Sequence, residues 1–352
     1  MVNKAKLKQE LAEEALTRRE RDHEREINAL KIKLAKSEAR RKQSDADNAL
    51  LGVVSELWGE LTGVGIDHKP FKPKKPSGSA TAVICINDVH CEETVLPETV
   101  NGLGEFNLDI AEKRLAKVGH NALLLLDAQR KMSNIRDLVV WIGGDIISGH
   151  IHEELTESNS LSPTEACLWA EQQLIGLLDH WLAYADVDSL TVVTSYGNHG
   201  RTVQKPRIGT AAKHSFEWWM YKHLERVYLD RADKRVTFKV EQSYHNWLEI
   251  QGKQVRFHHG DWLKYQGGVG GIGIPVNKSI NEWNKAQRAD FDFFGHWHQH
   301  EKHAHWCACN CLIGYNAYAQ SIKASWSEPS QTFAVFDRDR RAPVLVQEIY
   351  CT

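Results

Sequence analysis

Five times between residues 82 and 298 a short apolar run stops at a tight turn carrying aspartate, asparagine or histidine. The turns are Asp88-x-His90, Gly144-Asp145, Gly197-Asn198-His199, His259-Gly260 and Gly295-His296-Trp297-His298. Between the runs lie amphipathic stretches of helical period, so the chain is predicted to be mixed α/β. In an open α/β fold the carboxyl ends of the strands converge, and turns placed there build a common site. Glycine beside a polar residue lets the backbone approach closely, as a crowded site requires.

Helices are predicted over residues 110–130, 163–185, 210–230 and 277–288. The second has the clearest start: Ser162-Pro163-Thr164-Glu165 supplies a cap, a proline at the first helical position and a capping-box glutamate. Runs 247–250 and 254–258, around Gln251-Gly252-Lys253, read as a hairpin. Cys307, Cys309 and Cys311 alternate, predicting three buried thiols on one face of a strand. The glycines at 267, 268, 270, 271 and 273 lack the lysine and hydroxyl residue of a phosphate-cradling loop, and read instead as a loop at the rim of the site.

Residues 1–62 differ in kind. They are rich in Lys, Arg, Glu, Ala and Leu, lack proline, and have no glycine before Gly52, a helix-favouring composition. Ile27, Leu30 and Leu34, then Leu50, Val54, Leu57 and Leu61, form two apolar stripes separated by polar sequence. Two readings follow: a solvated helix with a docking end, or a coiled-coil-like helix joining copies into a homo-oligomer. Residues 63–80, punctuated by Pro70, Pro73 and Pro76, read as a linker, leaving 81–352 as the second domain.

The chain has 352 residues, 42% hydrophobic and 26% charged, with net charge −2. That balance excludes a wholly basic nucleic-acid coat but not a local basic groove. No run of about 18 apolar residues exists, so no membrane span is expected. The first residues lack the apolar core of a secretory signal, and the seven cysteines are an odd set. Reduced thiols and a cytoplasmic address are the expectation.

Imidazole and carboxylate donors together suit borderline divalent cations such as Mn²⁺, Fe²⁺ or Zn²⁺, with Mg²⁺ a further option. Two such ions about 3.5–4 Å apart could activate a shared hydroxide and neutralise phosphoryl oxygens. The five turns, in this order over residues 81–320, resemble the five-block signature of calcineurin-like metallophosphoesterases. The resemblance implies a two-sheet β-sandwich flanked by helices, and two divalent metal ions, Mn²⁺ foremost. It implies that Asp88, His90 and His298 bind the first ion, that Asp145 bridges, and that Asn198, His259 and His296 bind the second. His199 would protonate the leaving oxygen or steady the transition state. His258 and His259 alternate on a strand, so only one can face the site, and His259 matches the family's position.

Two departures stand out. The family usually carries an acid after Asn-His, but Gly200 stands there; Glu153 or Glu154 could supply the missing carboxylate. Ser148 replaces the acid or amide usual three residues after the bridging aspartate.

For the substrate, Arg201, Lys205 and Arg207 follow the His199 turn, and with His152 they suit phosphate binding. The segment 143–154 resembles virus-encoded and bacterial members classed with DNA-repair exonucleases, which implies a DNA-processing nuclease. A phosphodiesterase or phosphatase for a cyclic nucleotide or another small phosphoester is the alternative, with residues 91–136 walling a pocket. A non-catalytic scaffold is the third.

Overall fold

The computed structural model describes residues 4–62, 78–264, 271–321 and 323–352. The chain divides into two compact units, residues 1–74 and 75–352. In the first, α1 is a single helix, Lys4–Thr62, on which Ile27, Leu30, Leu34, Leu50, Val54 and Leu57 are all exposed. Most of the expected linker, residues 63–77, lies outside the described residues. Its last two residues are a correction: Ser79 and Ala80 already pair with Asn134 and Ile135, and belong to the first strand.

In the second unit, β1 (Ser79–Ile86), β2 (Asn134–Ile142), β3 (Ser189–Thr194) and β4 (Val236–Lys239) run parallel. Helices α2 (Leu108–Arg130), α3 (Glu153–Ser158), α4 (Pro163–Tyr184) and α5 (Phe216–Arg231) fall between these strands along the chain. Then follow β5 (Asn246–Ile250), β6 (Lys253–Phe257), α6 (Gly273–Ala286), β7 (Phe291–Phe294), β8 (Glu301–Lys302), β9 (Trp306–Ala308), α7 (Ala317–Ser321), β10 (Ser330–Asp337) and β11 (Leu345–Tyr350). One sheet has the order β11-β10-β1-β2-β3-β4, and the other β5-β6-β7-β9-β8.

Side-chain alternation explains the layers. On β1, Ala82, Ile84 and Ile86 face Leu115, Val118, Leu174, Leu178, Met220 and Leu224 of α2, α4 and α5. Val83 and Cys85 face the other way, meeting Val255, Phe257, Phe291 and Phe293 of the second sheet. A strand buried on both faces must be apolar throughout, which is why β1 reads as a run rather than an alternation. Val276 and Ile280 of α6 cover the outer side of the second sheet against Phe294 and Trp306. The fold is therefore a two-sheet sandwich flanked by helices. Burying each large apolar side chain contributes about 1.5–3 kcal/mol.

Some boundaries differ from expectation. α4 keeps its full capping box, with Ser162 accepting from Glu165 N. α5 starts six residues later than predicted, because Ala212–His214 form a 3-10 turn and Ser215 caps the helix, accepting from Trp218 N. α6 begins at Gly273 rather than 277. Cys307 and Cys309 lie in the inter-sheet core, but Cys311 joins a separate cluster with Val95, Val100 and Phe106, since β9 ends at Ala308. Glycines 267, 268 and 270 lie outside the described residues.

Candidate metal centre

Strands β1, β2, β3, β6 and β7 each lead into one of the five turns at their carboxyl ends. Asp88, His90, Asp145, His296 and His298 all have φ between 49° and 70°. For residues with a Cβ this left-handed region is sparsely populated and strained, and such strain clusters at functional sites. The neighbouring glycines are required by space: a Cβ on Gly295 would lie 2.2 Å from Asp88 Oδ2, and one on Gly197 2.1 Å from Asp145 Oδ1.

Two sets of three donors result. Asp88, His90 and His298 bring their ligand atoms within 4.8 Å of one another, and so do Asp145, His259 and His296. His90 Nε2 and His298 Nε2 stand 3.3 Å apart. His259 Nε2 lies 2.9 Å from Asp145 Oδ2 and 3.1 Å from Asn198 Oδ1, which brings Asn198 to the second set. His199 N donates to Asp145 Oδ1 at 2.8 Å, and His296 N to Asp88 Oδ2 at 2.8 Å. His258 faces the opposite side of the strand, toward Asp292.

The imidazoles are oriented from behind. His259 Nδ1 donates to Gly143 O at 2.9 Å, and His199 Nδ1 to Ser148 O at 2.9 Å; a carbonyl only accepts, so both rings carry hydrogen on Nδ1. His90 Nδ1 pairs with Ser148 Oγ at 3.1 Å, and that hydroxyl donates to Glu93 Oε2 at 3.2 Å. Such outer contacts fix ring orientation in metal sites.

The donors fit divalent cations. All are oxygen or nitrogen, and Asp88 Oδ1 is buried with no hydrogen bond among the described residues. Two imidazole nitrogens aimed at each other across 3.3 Å want a proton or a cation between them. Burial opposes protonation of His259, yet Asp145, then Asp88, push its pKa up to about 10. Burial and the neighbouring His259 take His296 down to about 3.

Three glutamates, Glu92 and Glu217 buried and Glu93 half-buried, belong to the site without a sequence signal strong enough to name them. Glu92 accepts from Ser148 N at 2.9 Å and Gly149 N at 2.8 Å. Glu93 holds Ser148 and Asn316. Glu217, on α5, accepts from Ile146 N and Gly197 N, each at 2.6 Å. Burial, with Asp145's charge, pushes its carboxyl up to about 7. Glu153 and Glu154 instead open α3 in exposed positions, so neither supplies the missing carboxylate.

The expected substrate residues are less closely gathered. His152 is exposed, with its ring centroid 5.7 Å from that of His199. Arg201 Nη1 donates to Asn198 O at 3.0 Å and its Nε to Val203 O at 3.1 Å, so this side chain braces the turn. Lys205 and Arg207 are exposed. Arg201 and Arg207 line a cleft of about 70 Å³ that also includes Asn198 and Trp262. Half of residues 91–136 form α2, which packs on the sheet. No helix among the described residues is long and apolar enough to cross a membrane.

Among solved structures, the chain is similar to Vps29 from Entamoeba histolytica, crystallised with Zn²⁺, at 10% identity and TM-score 0.31, covering 76% of this chain and 99% of that one. A conserved predicted phosphoesterase from Streptococcus pneumoniae TIGR4 matches at 11% identity and TM-score 0.29, over 77% and 98%. Vps29 from Cryptosporidium parvum matches at 12% identity and TM-score 0.31, over 77% and 98%. No protein-family model matches the sequence. No curated protein matches it either.

Proposed function

We propose that this chain is a metal-dependent phosphoesterase of the calcineurin-like type, hydrolysing phosphodiester bonds. The observation that carries the reading is the pair of three-donor sets, drawn from four turns, with Asp88, His90, Asp145, His296 and His298 in left-handed backbone. Asp88, His90 and His298 would hold one divalent cation, and Asn198, His259 and His296 another, with Asp145 between them. Such a pair supplies Lewis acidity toward phosphoryl oxygens and lowers the pKa of water.

The chain's own groups do the rest. With Nδ1 committed to Ser148 O, His199 presents Nε2 as its exchangeable position, the atom from which a leaving oxygen would take a proton. Ser148 and Glu93 hold the His90 ring from behind, so the imidazole keeps one orientation through turnover. Arg201 ties Asn198 to its loop.

For the substrate we favour a nucleic-acid strand, DNA foremost. Trp262 is stacked on Tyr244 at 3.9 Å between centroids, is 40% exposed, and borders the cleft that holds Arg207. An aromatic face beside guanidinium groups is what a base and its phosphate need. The metal, by ligand softness, is Mn²⁺ or a similar ion.

The test is a panel of bis-p-nitrophenyl phosphate, single- and double-stranded DNA, RNA and cyclic nucleotides, with Mn²⁺, Mg²⁺, Zn²⁺ and Fe²⁺. DNA should be degraded, and Asp145→Ala should lower the rate by more than about 100-fold. Cleavage of the small diester with DNA and RNA left intact would replace the nuclease reading with the small-substrate one. Bound metal with no cleavage at all would leave only a scaffold.

A further inference from the structure

The turn that carries Asn198 and His199 continues into Gly200. Gly200 is not among the residues with positive φ, so its backbone would accept any side chain. The space would not. A Cβ on Gly200 would lie 2.6 Å from Glu217 Cγ and 2.9 Å from its Cδ. Glu217 therefore occupies the volume that a side chain at position 200 would fill.

Its two oxygens reach two different ligand turns. Oε1 accepts from Ile146 N at 2.6 Å and, more weakly, from Ile147 N at 3.4 Å; Oε2 accepts from Gly197 N at 2.6 Å. Ile146 directly follows Asp145, and Gly197 directly precedes Asn198. One fully buried carboxylate thus clamps the backbone of both turns, and their ligands with them. The helix that delivers it is itself fastened to the same turn, since Phe216 N donates to Gly200 O at 2.8 Å. Glu217 lies in the first turn of α5, where the helix dipole favours negative charge.

We propose that Glu217 is the positioning carboxylate of this metal centre, delivered by helix α5 into the volume beside Gly200. This rests on reading the site as a metal centre. Glu217 touches neither cation nor substrate; it acts by fixing Asp145 and Asn198 relative to each other. Gly200 is its counterpart, glycine because the volume is already taken.

The experiment is a relocation carried out in the full chain. Four variants are compared with the parent: Glu217→Gln, Glu217→Ala, Gly200→Glu, and the double Gly200→Glu/Glu217→Ala. Readouts are Mn²⁺ affinity by titration calorimetry, turnover of bis-p-nitrophenyl phosphate, and thermal melting of the metal-free protein. Glu217→Gln, nearly isosteric, sets an amide NH₂ against a backbone N–H and should weaken Mn²⁺ 10–100-fold. Glu217→Ala should be at least as weak. Gly200→Glu alone should also weaken Mn²⁺, by collision with Glu217. The double variant should recover affinity to within about threefold of the parent, because the carboxylate returns from the other side of the same volume. A merely structural glutamate would not be replaced by one seventeen residues away. Glu217→Gln binding Mn²⁺ like the parent overturns the proposal, as does a folded double variant no better than Glu217→Ala. A parent that binds no Mn²⁺ would instead sink the metal-centre reading itself.

Discussion

At the residue scale, two neighbouring imidazoles, His258 buried and His245 half-buried, each have a buried ring nitrogen that is not hydrogen-bonded. His245 Nε2 and His258 Nδ1 make no hydrogen bond among the described residues. Burial, then His258 and Arg256 beside it, lower the His245 pKa to about 3, with Asp292 opposing. An unfolded histidine titrates near pH 6.5. Below that pH the unfolded chain takes up a proton that folded His245 refuses, so stability falls as pH drops from about 6.5 toward 3. In urea titrations at pH 7 and 5, His245→Phe should lose less stability than the parent, by up to about 2 kcal/mol. An equal loss in both would show that His245 is not an acid-sensitive point. The donors of the site were legible because each ends an apolar run, where only a turn with a purpose gathers Asp, Asn and His. Glu217 was not. Its first-turn position predicts a helix start and nothing more, and its partners are backbone amides 20 and 71 positions away.

At the scale of elements, β6 and β7 are joined by more than their ladder. Arg256 and Asp292 are register partners, each about 1% exposed in its side chain, and are paired through two contacts at 2.5 and 3.2 Å. The guanidinium lies between the rings of Trp247 and Trp283, 5.3 and 5.1 Å from their centroids. Removing one partner of a buried pair leaves the other charge uncompensated, at a cost of about 3–5 kcal/mol. Asp292→Asn should therefore lower the unfolding free energy by that amount, read as a lower urea midpoint at unchanged slope; a loss below about 1 kcal/mol would show the pair contributes little. These two strands lead into the turns of His259 and His296. Periodicity and capping made α4 and the apolar strands readable. The start of α5 was not, because residues 210–214 have helical composition and only the Ser215 cap decides where the helix begins. Nothing in the sequence shows which strands are neighbours across the two sheets, because that depends on pairings distant along the chain.

At the scale of the whole molecule, the chain joins a long helix with exposed apolar residues to a unit with its own core. We propose that α1 associates copies of the chain through those residues. A chain beginning at Gly78 should keep its circular-dichroism melt and its metal affinity but show a smaller mass by light scattering. An unchanged mass would remove α1 from the assembly.

The gathered donors of Asp88, His90 and His298 also bear on folding. A cation that binds only when the turns have assembled draws the folding equilibrium toward the native state, by about 2.7 kcal/mol at a hundredfold excess over its Kd. Chelator in a buffer would thus act on this chain as a destabilising mutation does. Melting temperatures from preparations of different metal history would disagree for a reason found nowhere in the amino-acid sequence.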